Sequence, residues 1–136
     1  MGYSIIDIEG IGPGFTKKLK KAGIHTTDAL LASAGAKKGR KAVATETGID
    51  EGKILKWCNM ADLMRIKGVG EEYSELLEKA GVDTVKELKT RKPANLTEAM
   101  AKANSGRKQL VRLLPGEKKV TDWVAQAKKL KPMMTY

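Results

Sequence analysis

Gly10-Ile11-Gly12-Pro13-Gly14, with Lys17 and Lys18 one helical turn further on, is the stretch of this chain best equipped for chemistry. Glycine admits positive φ and leaves the backbone bare. Pro13 suits the first position of a helix, where a missing N–H is no loss. The N–H groups that open a helix have no intrahelical partner, and the partial positive charge of the helix start points the same way. Bare amides, a helix start and two ammonium groups make a cradle for an anion, and a nucleic-acid phosphate is one such anion. Gly10, Ile11, Gly12, Gly14, Lys17 and Lys18 are therefore the first candidate contacts. Lys37, Lys38, Arg40 and Lys41, on a basic segment further along, are expected to extend them into one patch.

The stretch occurs twice. A shift of 58 positions superposes Ile8 on Ile66, Gly10 on Gly68, Gly12 on Gly70 and Phe15 on Tyr73, and carries Leu19, Ala22, Gly23 and Leu30 onto Leu77, Ala80, Gly81 and Leu88. Matches at one fixed offset mark an internal duplication. The surroundings of the copies differ. Glu71 and Glu72 follow Gly70, with Glu75 and Glu78 behind them; these carboxylates satisfy the helix start and repel phosphate. The second bend, Gly68-Val69-Gly70, is thus expected to be structural.

Residues 4–24 and 62–82 resemble the helix-hairpin-helix motif, in which an apolar-Gly-apolar-Gly bend meets a phosphate backbone without reading bases. Glu9 and Lys67 stand where the common form of that motif has proline. The whole chain also resembles an uncharacterised prokaryotic family, described only as a domain of unknown function, with paired helix-hairpin-helix-like units. The stretch from Ala61-Asp62-Leu63 to Gly68-Val69-Gly70 carries that resemblance best. The resemblance implies a fold and no activity.

The pattern is helical throughout, with no strand-type alternation. Ser4 is expected to cap a short helix through Ile5, Ile6 and Ile8, and Asp62 to cap its counterpart. Thr26, Asp50 and the Thr84/Glu87 pair read as N-caps. Gly23 and Gly48 read as helix stops. Pro93 is expected to end a helix and Asn95/Glu98 to open the next. A helix through Leu110–Leu114 and a last one over 117–130 complete the set. Gly39-Arg40-Lys41 matches Gly106-Arg107-Lys108, and Lys53 and Trp57 match Lys119 and Trp123, at offsets of 67 and then 66. The expected class is all-α, in two tandem units over 1–61 and 62–130, with 131–136 a tail.

Composition bounds the function. The 136 residues carry a formal charge of +10, which favours a polyanionic partner. The excess is uneven: 10 Lys or Arg against 6 acids over 1–61, 7 against 7 over 62–92, and 9 against 3 over 93–136. No apolar run is long enough to span a membrane, the start does not read as a signal peptide, and Ile6 breaks the myristoylation pattern. The lone Cys58 fits a reducing compartment, so a cytoplasmic, membrane-free location is expected. Trp57 and Trp123 are read as core anchors and Cys58 as an inert thiol. His25 has no partner for acid–base or metal work. No phosphate loop, zinc spacing or nucleophile elbow is present, so neither catalysis, metal nor cofactor is expected. The leading expectation is a non-enzymatic, sequence-independent nucleic-acid binder, with double-stranded DNA favoured over RNA. The alternative is a protein–protein adaptor or self-assembling structural subunit.

Overall fold

Two short turns with a left-handed glycine set the architecture. In the computed structural model, which describes residues 2–105 and 109–136, Ile11 N–H closes back on the Ile8 carbonyl at 3.1 Å, and Val69 N–H on the Ile66 carbonyl at 3.1 Å. Gly10 and Gly68 take φ of +92° and +97° at the third position of these turns, a backbone conformation that side chains disfavour. A Cβ on Gly10 would lie 3.4 Å from Trp57 Nε1, and one on Gly68 would lie 3.1 Å from Trp123 Nε1. Each bend therefore closes over the edge of an indole.

Among the described residues every regular element is helical. A 3-10 turn at Ile5–Asp7 precedes α1 (Pro13–Lys21), α2 (Thr27–Ala34), α3 (Lys37–Thr47), α4 (Glu51–Leu63), α5 (Glu71–Lys79), α6 (Val85–Leu88), α7 (Pro93–Asn104) and α8 (Glu117–Lys129). Local chemistry sets most ends. Thr26 Oγ1 accepts from Ala29 N–H, an Asp50 carboxylate oxygen from Lys53 N–H, and Thr84 Oγ1 from Glu87 N–H. α1 ends in a Schellman pair, Ile24 N–H to Leu19 O and Gly23 N–H to Lys20 O; α5 ends identically through Val82 and Gly81.

The buried side chains form two clusters. One gathers residues from Ile5 to Met64, around Leu19, Leu30, Ile54 and Trp57; the other runs from Leu63 to Ala127, around Leu76, Leu77, Met100 and Trp123. The structure differs from the sequence expectations at several joints. α4 runs unbroken through the junction placed at 61/62, because Asp62 does not open a helix. Buried within α4, its carboxylate instead accepts from Arg65 Nη1 at 2.7 Å and from the Val85 N–H at 2.8 Å, so it serves the start of α6. Ser4 provides no side-chain cap and pairs with Thr26 in an isolated antiparallel bridge. Pro93 opens α7 rather than ending a helix, since the first position needs no N–H. Residues 109–114 form no helix: Asn104 Oδ1 accepts from the N–H of Leu110 and Val111 and its amide donates to Val111 O, replacing helical partners. The Gly106-Arg107-Lys108 match lies outside the described residues.

The largest correction concerns the C-terminal residues. They are a strap, not a tail, and they lie across the first cluster. Met134 joins that cluster at 8% exposure. Thr135 N–H donates to Gly35 O at 3.0 Å. Arg40, only 3% exposed, donates to Ala34 O, Gly35 O and Thr135 O, the last at 2.6 Å, and lies against the Tyr136 ring. The guanidinium donates to three backbone carbonyls, a task for which its fixed fork of N–H groups suits it. Arg40→Met is expected to destabilise the protein by about 2 kcal/mol, because it leaves buried carbonyls underserved, and Arg40→Lys to recover little of that. Urea midpoints compared at unchanged slope check it.

Candidate nucleic-acid interface

At the first bend the backbone stands open. Ile11 N–H is spent inside the turn and its side chain is buried, so Ile11 shapes the bend rather than facing solvent. Gly12 precedes α1, Pro13 is its first residue, and Thr16 N–H makes the first return bond, to Gly12 O. Among the described residues nothing accepts from the N–H of Gly12, Gly14 or Phe15. A Cβ added at Gly12 or Gly14 would meet nothing within 4 Å. Gly10, Gly12, Gly14, Phe15 and Lys18 line a shallow hollow of about 410 Å³ here. Lys18 also lines a second hollow, with Lys21 and with Glu46 and Thr47 from the end of α3. Lys17, also on α1, is exposed.

The expected patch divides at this point. Lys37 lines a separate hollow with Tyr136, Glu51 and Leu55, at the opposite end of α3 from Glu46 and Thr47. An 11-residue helix spans about 16 Å, so Lys37 and Lys38 stand well away from the bend. Lys41 is exposed on the same helix. Arg40, 3% exposed, borders the same hollow as Lys37, and its guanidinium is spent on the strap. Helix α3 is held in this orientation by Gly39, where a Cβ would run into the Ser33 carbonyl.

Sequence reasoning missed part of the surround. Phe15 packs edge-on against Trp57, ring centres 5.1 Å apart, and Lys53 Nζ lies 5.6 Å from the Phe15 ring centre. Tyr73, Trp123 and Lys119 repeat the grouping at 5.2 Å and 5.9 Å. The matched Lys and Trp positions were the signal that could have found it.

The second bend has the same backbone and a different setting. Gln126 clamps Lys67, accepting from its N–H at 2.8 Å and donating to its carbonyl at 3.1 Å. Tyr3 Oη donates to the carbonyl of the buried Val69 at 3.4 Å. Gly70 leads directly into Glu71 and Glu72. Glu71 faces Glu9 of the first bend. Desolvation, the hydrogen bond shared with Glu9, and the charges of Glu9, Asp7 and Glu75 push the Glu71 carboxyl up to about 7. Among the described residues no group of three or more His, Cys, Asp or Glu is arranged to hold a metal ion. Cys58 is buried near the Ala34 carbonyl, and burial pushes its thiol up to about 12, which keeps it protonated and unreactive.

This is an all-helical protein with an open, glycine-lined bend beside α1 lysines. The family described as Domain of unknown function (DUF4332) matches residues 9–130, and the chain belongs to it. No curated protein and no solved structure matches the chain. Among the described residues, no helix is long and apolar enough to cross a membrane.

The facing carboxylates give the protein a pH signature. Folded, Glu71 keeps its proton up to about 7, whereas an ordinary glutamate releases it near 4.5. The folded chain therefore holds the extra proton between those values, and stability falls as pH rises through that window. Glu71→Gln is expected to raise the melting temperature by about 1–3 °C at pH 8 and to leave it unchanged at pH 4. Thermal melts across pH check this.

Proposed function

We propose that the protein is a non-enzymatic, sequence-independent nucleic-acid binder whose first bend holds phosphates through the Gly12, Gly14 and Phe15 amides, with Lys17 and Lys18 as flanking cations. Duplex DNA is the favoured target, since amides and ammonium groups follow a regular phosphate backbone without needing a base sequence. The observation that carries this reading is the open first bend: three N–H groups without an acceptor among the described residues, at an uncovered surface beside Lys18. We further infer that residues 4–24 and 62–82 are helix-hairpin-helix units of a duplicated chain. The shared turn, left-handed glycine, Schellman ending and indole brace support this. The second unit is read as structural.

A protein–protein adaptor or self-assembling subunit is the second reading. Leu113 and Leu114, exposed at 73% and 41%, favour it, since adjacent bare leucines suit a partner surface.

Anisotropy titrations of a labelled blunt duplex separate the two. If about 6 phosphates are neutralised, affinity falls roughly a thousandfold between 50 and 200 mM salt. Lys17→Glu/Lys18→Glu weakens binding and lowers the salt slope by about 2. Absence of duplex binding, or tight binding indifferent to salt and to the variant, overturns the nucleic-acid reading. Light scattering over a concentration series then tests self-association.

A further inference from the structure

We propose that the hollow at the first bend accepts an unpaired nucleotide, its base laid on the Phe15 ring and its phosphates held by the bend amides and Lys18. This rests on the phosphate-binding reading above and adds the kind of strand the site prefers.

Phosphate contact alone requires only a surface of amides and cations. The first bend offers more: a concavity of about 410 Å³ whose wall includes the half-buried Phe15 ring and glycines without side chains. That volume falls within the roughly 300–1,000 Å³ of small-molecule sites. In an intact duplex the bases lie inside the stack, so only sugar and phosphate reach the protein and the apolar floor stays uncovered. An unpaired nucleotide can turn its base onto that floor while its phosphates keep the amides. Aromatic rings accept any base in this way, because every base has a π-face.

The cations are placed for such a strand. Lys18 borders both this hollow and the next, where Lys21 adds a second cation beside Glu46 and Thr47. Lys53 Nζ, 5.6 Å from the Phe15 ring centre, sits on an exposed, flexible stem. It can swing aside for a base and toward the adjoining phosphate. The corresponding ring in the second half is engaged differently, since Tyr73 Oη donates to the Leu113 carbonyl at 2.9 Å.

Fluorescence anisotropy with labelled oligo-dT and with a blunt duplex of equal phosphate number tests this, using wild type, Phe15→Leu and Phe15→Tyr. Leucine keeps apolar bulk against Trp57 but offers no ring; tyrosine keeps the ring and already occupies the matching position 73. The expected result is oligo-dT bound about tenfold tighter than duplex by wild type, that preference lost in Phe15→Leu, and the preference retained in Phe15→Tyr. Salt-sensitive duplex binding with no preference for oligo-dT, or oligo-dT binding indifferent to Phe15→Leu, overturns the stacking proposal and leaves the phosphate reading standing. No salt-sensitive binding to either DNA overturns the phosphate reading, and this proposal with it.

Discussion

An indole edge set against a left-handed glycine is the contact on which both halves of this protein depend. Trp57 and Trp123 lie so close beneath Gly10 and Gly68 that a Cβ there would sit 3.4 and 3.1 Å from the ring nitrogen. Both turns need the positive φ, and at Gly68 the indole also leaves little room for a Cβ, whereas at Gly10 a Cβ would meet Trp57 at ordinary contact distance. Each tryptophan belongs to the helix furthest along its half, so the contact joins the beginning of a unit to its end. With the glycine fixed over the ring, the following residues enter α1 or α5 from a fixed direction.

What the two bends present to solvent is decided by neighbours that the shared backbone does not specify. The first exits into Pro13-Gly14 and then lysines. The second exits into Glu71-Glu72 and is covered by groups from elsewhere: Gln126 on Lys67 and Tyr3 on Val69. One geometry therefore supports an open cationic face in one half and a braced, acidic joint in the other. A glycine bend by itself does not define a ligand; the side chains of the first helical turn and whatever packs over the loop do so.

The sequence made the local chemistry legible and the long-range contacts not. Thr26, Asp50, Thr84, Gly23 and Gly48 act within a few residues of themselves, and their types announced their roles. Pro13 and Gly12 were readable for the same reason. Pro93 and Asn104 were not, since a proline can end or begin a helix, and an asparagine can bond whichever backbone the fold brings near. Arg40 shows the limit at the site itself. Counted with Lys37, Lys38 and Lys41 it is a surface charge, yet the strap brings Thr135 O to it from 95 residues away and holds it inside. Net charge counts cations; it says nothing about which way each one faces.

The two halves are tied at enough points that the acidic joint is a fixed neighbour of the open bend. α4 passes without a break from one cluster to the other, Tyr3 reaches Val69, Arg65 Nη2 donates to Lys131 O at 2.7 Å, and the strap returns to Arg40. Glu9, which immediately precedes Gly10, faces Glu71 across this joint. On the proposed reading, a polyanion approaching Gly12–Gly14 meets repulsion from the Glu9 side and attraction from the α1 lysines. On the proposed reading the field orients the strand, which runs from the bend along Lys18 toward Lys21 and not across Glu9 toward the second half. On that same reading, the facing carboxylates leave the α1 side as the direction of approach for phosphate.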